Sequence, residues 1–163
     1  MKKLTLFLIL PIFFLTGLHI STVHSFNNSA PTFECLTCHV GQMAVDMVEI
    51  RGLPKNYVPG KTYKLTIVVT SDMKSMGEVQ GGFALEASAG KLIEQDKKNT
   101  QISNGILTHT WEGSHHRTWT FGWKAPTERK DVHITVMALA ANGDFSSPGD
   151  IVGVNSYTIK PKK

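Results

Sequence analysis

The segment "ECLTCHVGQ", Glu34 to Gln42, carries both cysteines of this chain, three positions apart, with a histidine directly after the second. Three chemistries use such a pair: covalent heme attachment, a zinc site, and a redox or structural disulfide. Heme attachment needs two thiols at this spacing for the two vinyl groups and an adjacent imidazole that rises beneath the iron. Cys35, Cys38 and His39 meet all three requirements. A zinc site would need a second Cys or His pair at short spacing, and a redox dithiol belongs where a strand feeds a helix in an α/β pattern. The sequence offers neither context. The reading is therefore one covalent heme c on Cys35 and Cys38, with His39 as axial ligand. The plain alternative is a Cys35–Cys38 disulfide.

The other axial position must be supplied from elsewhere in the chain. "ILTHTWEGSHHRTW" is the richest source, because His109 alternates with Leu107 and Trp111, an apolar setting where an unpaired imidazole would be costly to bury. His109 is the first choice. His115 and His116, read as a hairpin turn, are the alternatives, and with His109 they could also form a three-imidazole copper site. Met43 and Met47 follow His39 too closely to reach the opposite face of a heme. Met73 and Met76 lie in the loop "SDMKSMGE", where methionines more often fill gaps. His133 and Met137 alternate with Val132, Ile134, Val136 and Ala138, which predicts that both point outward from a strand.

These residues must be positioned by β-structure. "KTYKLTIVVT", "VQGGFALEA", "GILTHTW", "RTWTFGWK", "DVHITVMALA" and "VNSYTI" alternate apolar and polar residues between Gly, Pro, Asn and Asp clusters, and "MVEIRGLP" supplies an earlier strand. The only helical signal is a turn or two at "GQMAVDM". About seven short strands without an amphipathic helix indicate an all-β, immunoglobulin-like antiparallel sandwich. Residues 26–47 form a short heme-bearing lead-in, too few to wrap a porphyrin as a helical cytochrome does. The porphyrin must then lie against the sandwich of residues 48–163, stay exposed, or be covered by another subunit.

The turns and strand ends carry a resemblance. "RGLPKNYVPGKTYKLTIVV", "GGFALEASAGKL" and "THTWEGSHHRTWTFGWKAP" resemble the reelin-type (Reeler) domain and its bacterial relatives over roughly residues 48 to 159. The shared features are a Tyr-x-Pro-Gly turn before a Tyr-bearing strand (Tyr57, Pro59, Gly60, Tyr63), a Gly-Phe strand start (Gly82, Phe83) and a Trp-x-Ala-Pro strand end (Trp123, Ala125, Pro126). The chain lacks the domain cysteines of the animal members and looks more like the bacterial branch, in which Cys-x-x-Cys-His precedes the sandwich. The resemblance implies an immunoglobulin-type fold. It also implies that a Thr-His-Thr element, here Thr108 to Thr110, accompanies the cysteine motif, which favours His109 as second ligand.

The start of the chain sets the compartment. Lys2 and Lys3 precede an apolar run from Leu4 to Leu18, the layout of a secretory leader, with cleavage expected after Ser25. If uncleaved, Leu4 to Val23 would act as a membrane anchor. Losing the leader leaves a chain close to charge balance with scattered Lys and Arg, which argues against a nucleic-acid partner. Nucleotide-binding loops, Gly-x-Ser-x-Gly elbows and paired catalytic carboxylates are absent from the sequence, so no enzyme is expected. The expected function is an exported, periplasmic or extracellular monoheme c-type cytochrome in electron transfer, partnered by redox proteins or a cytochrome assembly, with oligomers open. The alternative is an extracellular binding or adhesion module without heme.

Overall fold

The computed structural model describes residues 42–146 and 148–163, together with Ala30, Phe33, Cys35 and His39. The leader and Cys38 lie outside the described residues. The chain is all-β, and its strands are β1 (Gln42–Met43), β2 (Val48–Arg51), β3 (Asn56–Tyr57), β4 (Thr62–Val69), β5 (Gly81–Ala87), β6 (Lys91–Ile93), β7 (Thr100–Ser103), β8 (Ile106–His109), β9 (Thr118–Lys124), β10 (Val132–Ala140) and β11 (Ile151–Pro161). They form two sheets. The larger runs β1-β11-β10-β5-β8-β7, with β3 also on β11, and the smaller runs β2-β4-β9-β6. Among the described residues, no helix is long and apolar enough to cross a membrane.

The period-two pattern states which residues meet between the sheets. Leu65, Ile67 and Val69 of β4 lie opposite Phe121, Trp119 and their neighbours on β9, and all are buried. Facing them, Phe83 and Leu85 of β5, Leu107 of β8, and Val132, Ile134, Val136, Ala138 and Ala140 of β10 complete the core. Burying a side chain of this size contributes about 1.5–3 kcal/mol, of the same order as the entropy lost in fixing that residue. His133 is exposed on the outer side of β10, as the alternation predicts.

Two of the motifs behind the Reeler resemblance, the Tyr-x-Pro-Gly turn and the Trp-x-Ala-Pro strand end, come together at one end of this core, while Phe83 of the Gly-Phe start packs on Trp119. Gly60 has φ 74°, a left-handed value that a side chain would strain, and its N–H donates to the Pro126 carbonyl at 3.1 Å. Trp123 takes an edge contact from Tyr57, with ring centroids 5.7 Å apart, and a stacked contact from Tyr63 at 5.8 Å. Tyr57 is fully buried, and its hydroxyl lies 2.8 Å from the carbonyls of both Glu128 and Lys130 while accepting the Lys130 N–H at 3.2 Å. The tyrosine thus ties the β9–β10 connection to the turn before β4.

Three local expectations are corrected. "GQMAVDM" is not helical: Gln42–Met43 pairs in parallel with the start of β11, and Met47 enters the core. The short helix is instead a 3-10 turn at Glu112–His115. That segment is no hairpin, because β8 and β9 belong to different sheets and the chain crosses between them. Neither His109 nor Trp111 keeps the Leu107 face: the His109 ring lies beside Gly82 on the outer side of β5, and Trp111 is 38% exposed and edge-on to His115.

Tyr57→Phe is expected to lower unfolding free energy by about 1–3 kcal/mol, since two carbonyls and an N–H lose a buried partner. Urea unfolding of the two chains measures it, and an unchanged midpoint would contradict the tie.

Candidate heme site

The site begins where a strand ladder stops. β8 pairs with β5 through Leu107↔Leu85 and Thr108↔Ala84, and goes no further. The next β5 residue, Phe83, still turns its backbone polar groups toward β8. Side chains take the place of the missing strand. The Phe83 N–H donates to His109 Nδ1 at 3.1 Å, and the Thr108 hydroxyl donates to the Phe83 carbonyl at 2.6 Å. The His109 ring occupies the space beside Gly82, where an added Cβ would fall 2.6 Å from Cε1. Gly82 is therefore required for the ring to lie flat on the strand. The cost expected for a buried histidine is thus partly met by hydrogen bonding.

Three described residues of the lead-in touch the larger sheet or the loop before β11. The Ala30 N–H donates to Thr108 Oγ1 on β8 at 2.9 Å, and the Cys35 N–H donates to Met137 Sδ on β10 at 3.3 Å. Met137 thus points outward, as its alternation predicts. The His39 N–H donates to the Cys35 carbonyl at 2.8 Å, an i to i+4 bond that sets these two residues side by side. His39 reaches the start of β11. Its Nδ1 lies 2.7 Å from Oδ2 of Asp150, whose carboxylate is buried and also accepts the Asn142 N–H at 3.0 Å through Oδ1. A carboxylate only accepts, so Nδ1 carries a proton, and in the neutral ring Nε2 is the nitrogen with the lone pair.

The two first-choice ligands share an electrostatic neighbourhood. Burial, the largest cause, lowers the His109 imidazole from 6.5 to about 4; the Phe83 backbone hydrogen bond raises it, and positive charge on His39 lowers it further. The alternatives lie elsewhere. His115 ends the 3-10 turn against Trp111, and His116 follows it. Among the described residues, no three His, Cys, Asp or Glu side chains gather as a metal site, which removes the three-imidazole copper reading. Met47 is in the core, Met73 packs at its margin, and Met43 and Met76 are exposed.

His39 and His109 are the described residues that could hold the iron of a heme on this outer face. His39 offers the correct nitrogen with its other nitrogen anchored, the arrangement typical of metal-bound histidine. His109 sits on the same side of the sheet, in a cradle that only glycine leaves open. For His109 to ligate through Nε2, its proton must move to Nδ1, where the Phe83 carbonyl at 3.3 Å and Thr108 Oγ1 at 3.2 Å are within reach. That tautomer gives up the Phe83 N–H bond. Iron coordination would offset the loss.

No protein-family model matches the chain, nor does any curated protein. Solved structures do. The Reelin-N domain of F-spondin superposes with TM-score 0.54 at 16% identity, over 79% of this chain and 96% of that one. The human F-spondin reeler domain follows with TM-score 0.51 at 15% identity, over 76% and 95%. The sandwich is reeler-like. At these identities the likeness is one of fold, and the lead-in chemistry is argued from this chain's own residues. Asp150 is the reeler-like sandwich's contribution that sequence reading missed, since a lone Asp after a Pro-Gly turn carries no motif.

In the heme-free chain, His109 sets a pH dependence. A histidine whose folded value is depressed leaves the unfolded chain binding more protons between about 4 and 6.5, so stability falls as pH drops through that window. The contribution is full above 6.5, and its loss is complete below about 4, amounting to at most about 3 kcal/mol. Urea unfolding of the parent and of His109→Gln across this range should show the slope only in the parent. Equal slopes would contradict the burial of a neutral His109.

Proposed function

We propose that the chain is an exported monoheme c-type cytochrome that transfers electrons, with the reeler-like sandwich as its heme platform. Cys35 and Cys38 would hold the heme, and His39 and His109 would be its axial ligands. The observation that carries this reading is the His39–Asp150 hydrogen bond, which engages Nδ1 of the motif histidine and leaves Nε2 as the nitrogen that could bind iron. When bound, the heme supplies a one-electron couple. The residues do the rest: Asp150 orients His39, the Gly82 cradle and Phe83 hold His109, and Met137 seats the backbone of the attachment turn.

Bis-histidine ligation sets a lower potential than His/Met ligation and fills the iron, which favours electron exchange with a docked redox partner over ligand binding. The secretory layout of residues 1–25 supports maturation outside the cytoplasm, where c-type heme and disulfides both form.

A second reading is favoured by the likeness to the F-spondin reeler domains, which bears on the sandwich more directly than on any heme. In it the chain is an extracellular binding module, with Cys35 and Cys38 joined as a disulfide.

Co-expression with a c-type heme maturation system, followed by intact mass and absorption spectra, separates the two. The cytochrome reading expects a mass increase of one heme and a low-spin spectrum that turns high-spin in His109→Ala. A competent maturation system that leaves the mass at that of the bare disulfide would establish the second reading instead.

A further inference from the structure

Asp150 stands out because a buried carboxylate is costly unless each oxygen is engaged. It is 4% exposed, and its two oxygens are divided between two tasks. Oδ1 accepts the Asn142 N–H and closes the loop between β10 and β11, while Oδ2 accepts from His39 Nδ1 at 2.7 Å. The loop has its own internal support, since Asn142 Oδ1 accepts the Asp144 N–H at 3.1 Å and Asp144 Oδ1 accepts the Ser146 N–H at 2.8 Å. The His39 contact is therefore an addition to the loop's closure. It reaches across 111 positions to a ring that is 32% exposed at the surface of the lead-in.

We propose that Asp150 is the positioning residue of the heme site: it fixes His39 in the Nδ1–H form, aims Nε2 at the iron, and lowers the iron's potential by strengthening His39 as a donor. The inference rests on the cytochrome reading and deepens it. A carboxylate accepting from Nδ1–H increases electron density on Nε2, which stabilises the oxidised iron relative to the reduced. The parallel pairing of β1 with the first residues of β11, Gln42↔Ile151 and Met43↔Val152, brings the two partners together. Since β1 begins three residues after His39 and β11 begins one residue after Asp150, the ladder sets their register.

Asp150→Asn keeps an oxygen for the Asn142 N–H but replaces the acceptor facing His39. Asn142→Ala loosens the same loop, removing the Asp144 contact, without touching His39. Heme content of the matured chains is measured first, then the midpoint potential by redox titration. The expected result is heme uptake in all three, a potential shifted positive in Asp150→Asn, and an unshifted potential in Asn142→Ala. A parental potential in Asp150→Asn, or equal shifts in both variants, would overturn the role of Asp150 while leaving the cytochrome reading intact. A parent without covalent heme would overturn both. Nitrogen-15 spectra of the heme-free parent supply an independent readout, with His39 expected in its Nδ1–H form and losing that preference in Asp150→Asn. A parent in the Nε2–H form would overturn the positioning role.

Discussion

Where β8 stops pairing with β5, the Phe83 backbone is left with an N–H and a carbonyl pointing at no strand, and everything distinctive about the outer face follows from how they are satisfied. Each such group, buried and unpaired, would cost about 1–3 kcal/mol. His109 and Thr108 meet the two needs with side chains, which draws an imidazole onto the sheet beside Gly82. Thr108 then has a lone pair to spare for Ala30, which fastens the lead-in at its far end. One interrupted ladder thus positions a histidine, opens a cradle and anchors the segment that carries the cysteines.

The second anchor is a hydrogen bond to a buried carboxylate and lies at the β11 end of the same face. Asp150 and His39 meet because β1 pairs in parallel with the start of β11, so the end of the lead-in is set by backbone hydrogen bonds. Between the two anchors, Met137 accepts from the Cys35 backbone over β10. The lead-in is therefore laid across the sheet by partners on three strands, while the core beneath it depends on aromatic packing around Trp123 and Trp119. This separation leaves the core independent of the residues that meet the outer face.

Most of the fold was legible in the sequence because alternation on β4, β5, β9 and β10 directly reports which face is buried. The short edge strands β1, β3, β6 and β7 were not, since two to four residues give no period to read. Trp111 and the His115–His116 pair were misplaced for a related reason: a crossover between sheets and a hairpin have the same turn composition. Of the candidate site, His39 and His109 were singled out from the sequence by motif and by resemblance. The parts played by Asp150, Gly82 and Thr108 were not, because each acts through contacts with residues 25 or more positions away. Long-range partners of this kind appear only once the register is known.

The central claim is that His39 and His109 face one iron on the outer side of the larger sheet. Diffraction from the matured chain at the iron absorption edge locates the metal without reference to any ligand assignment. The account predicts a single anomalous peak between Nε2 of His39 and Nε2 of His109, close to Met137 and the Gly82 strand. A peak bound by His39 and a methionine, His115 or His116, or no iron in a chain that emerged from a competent maturation system, would contradict it.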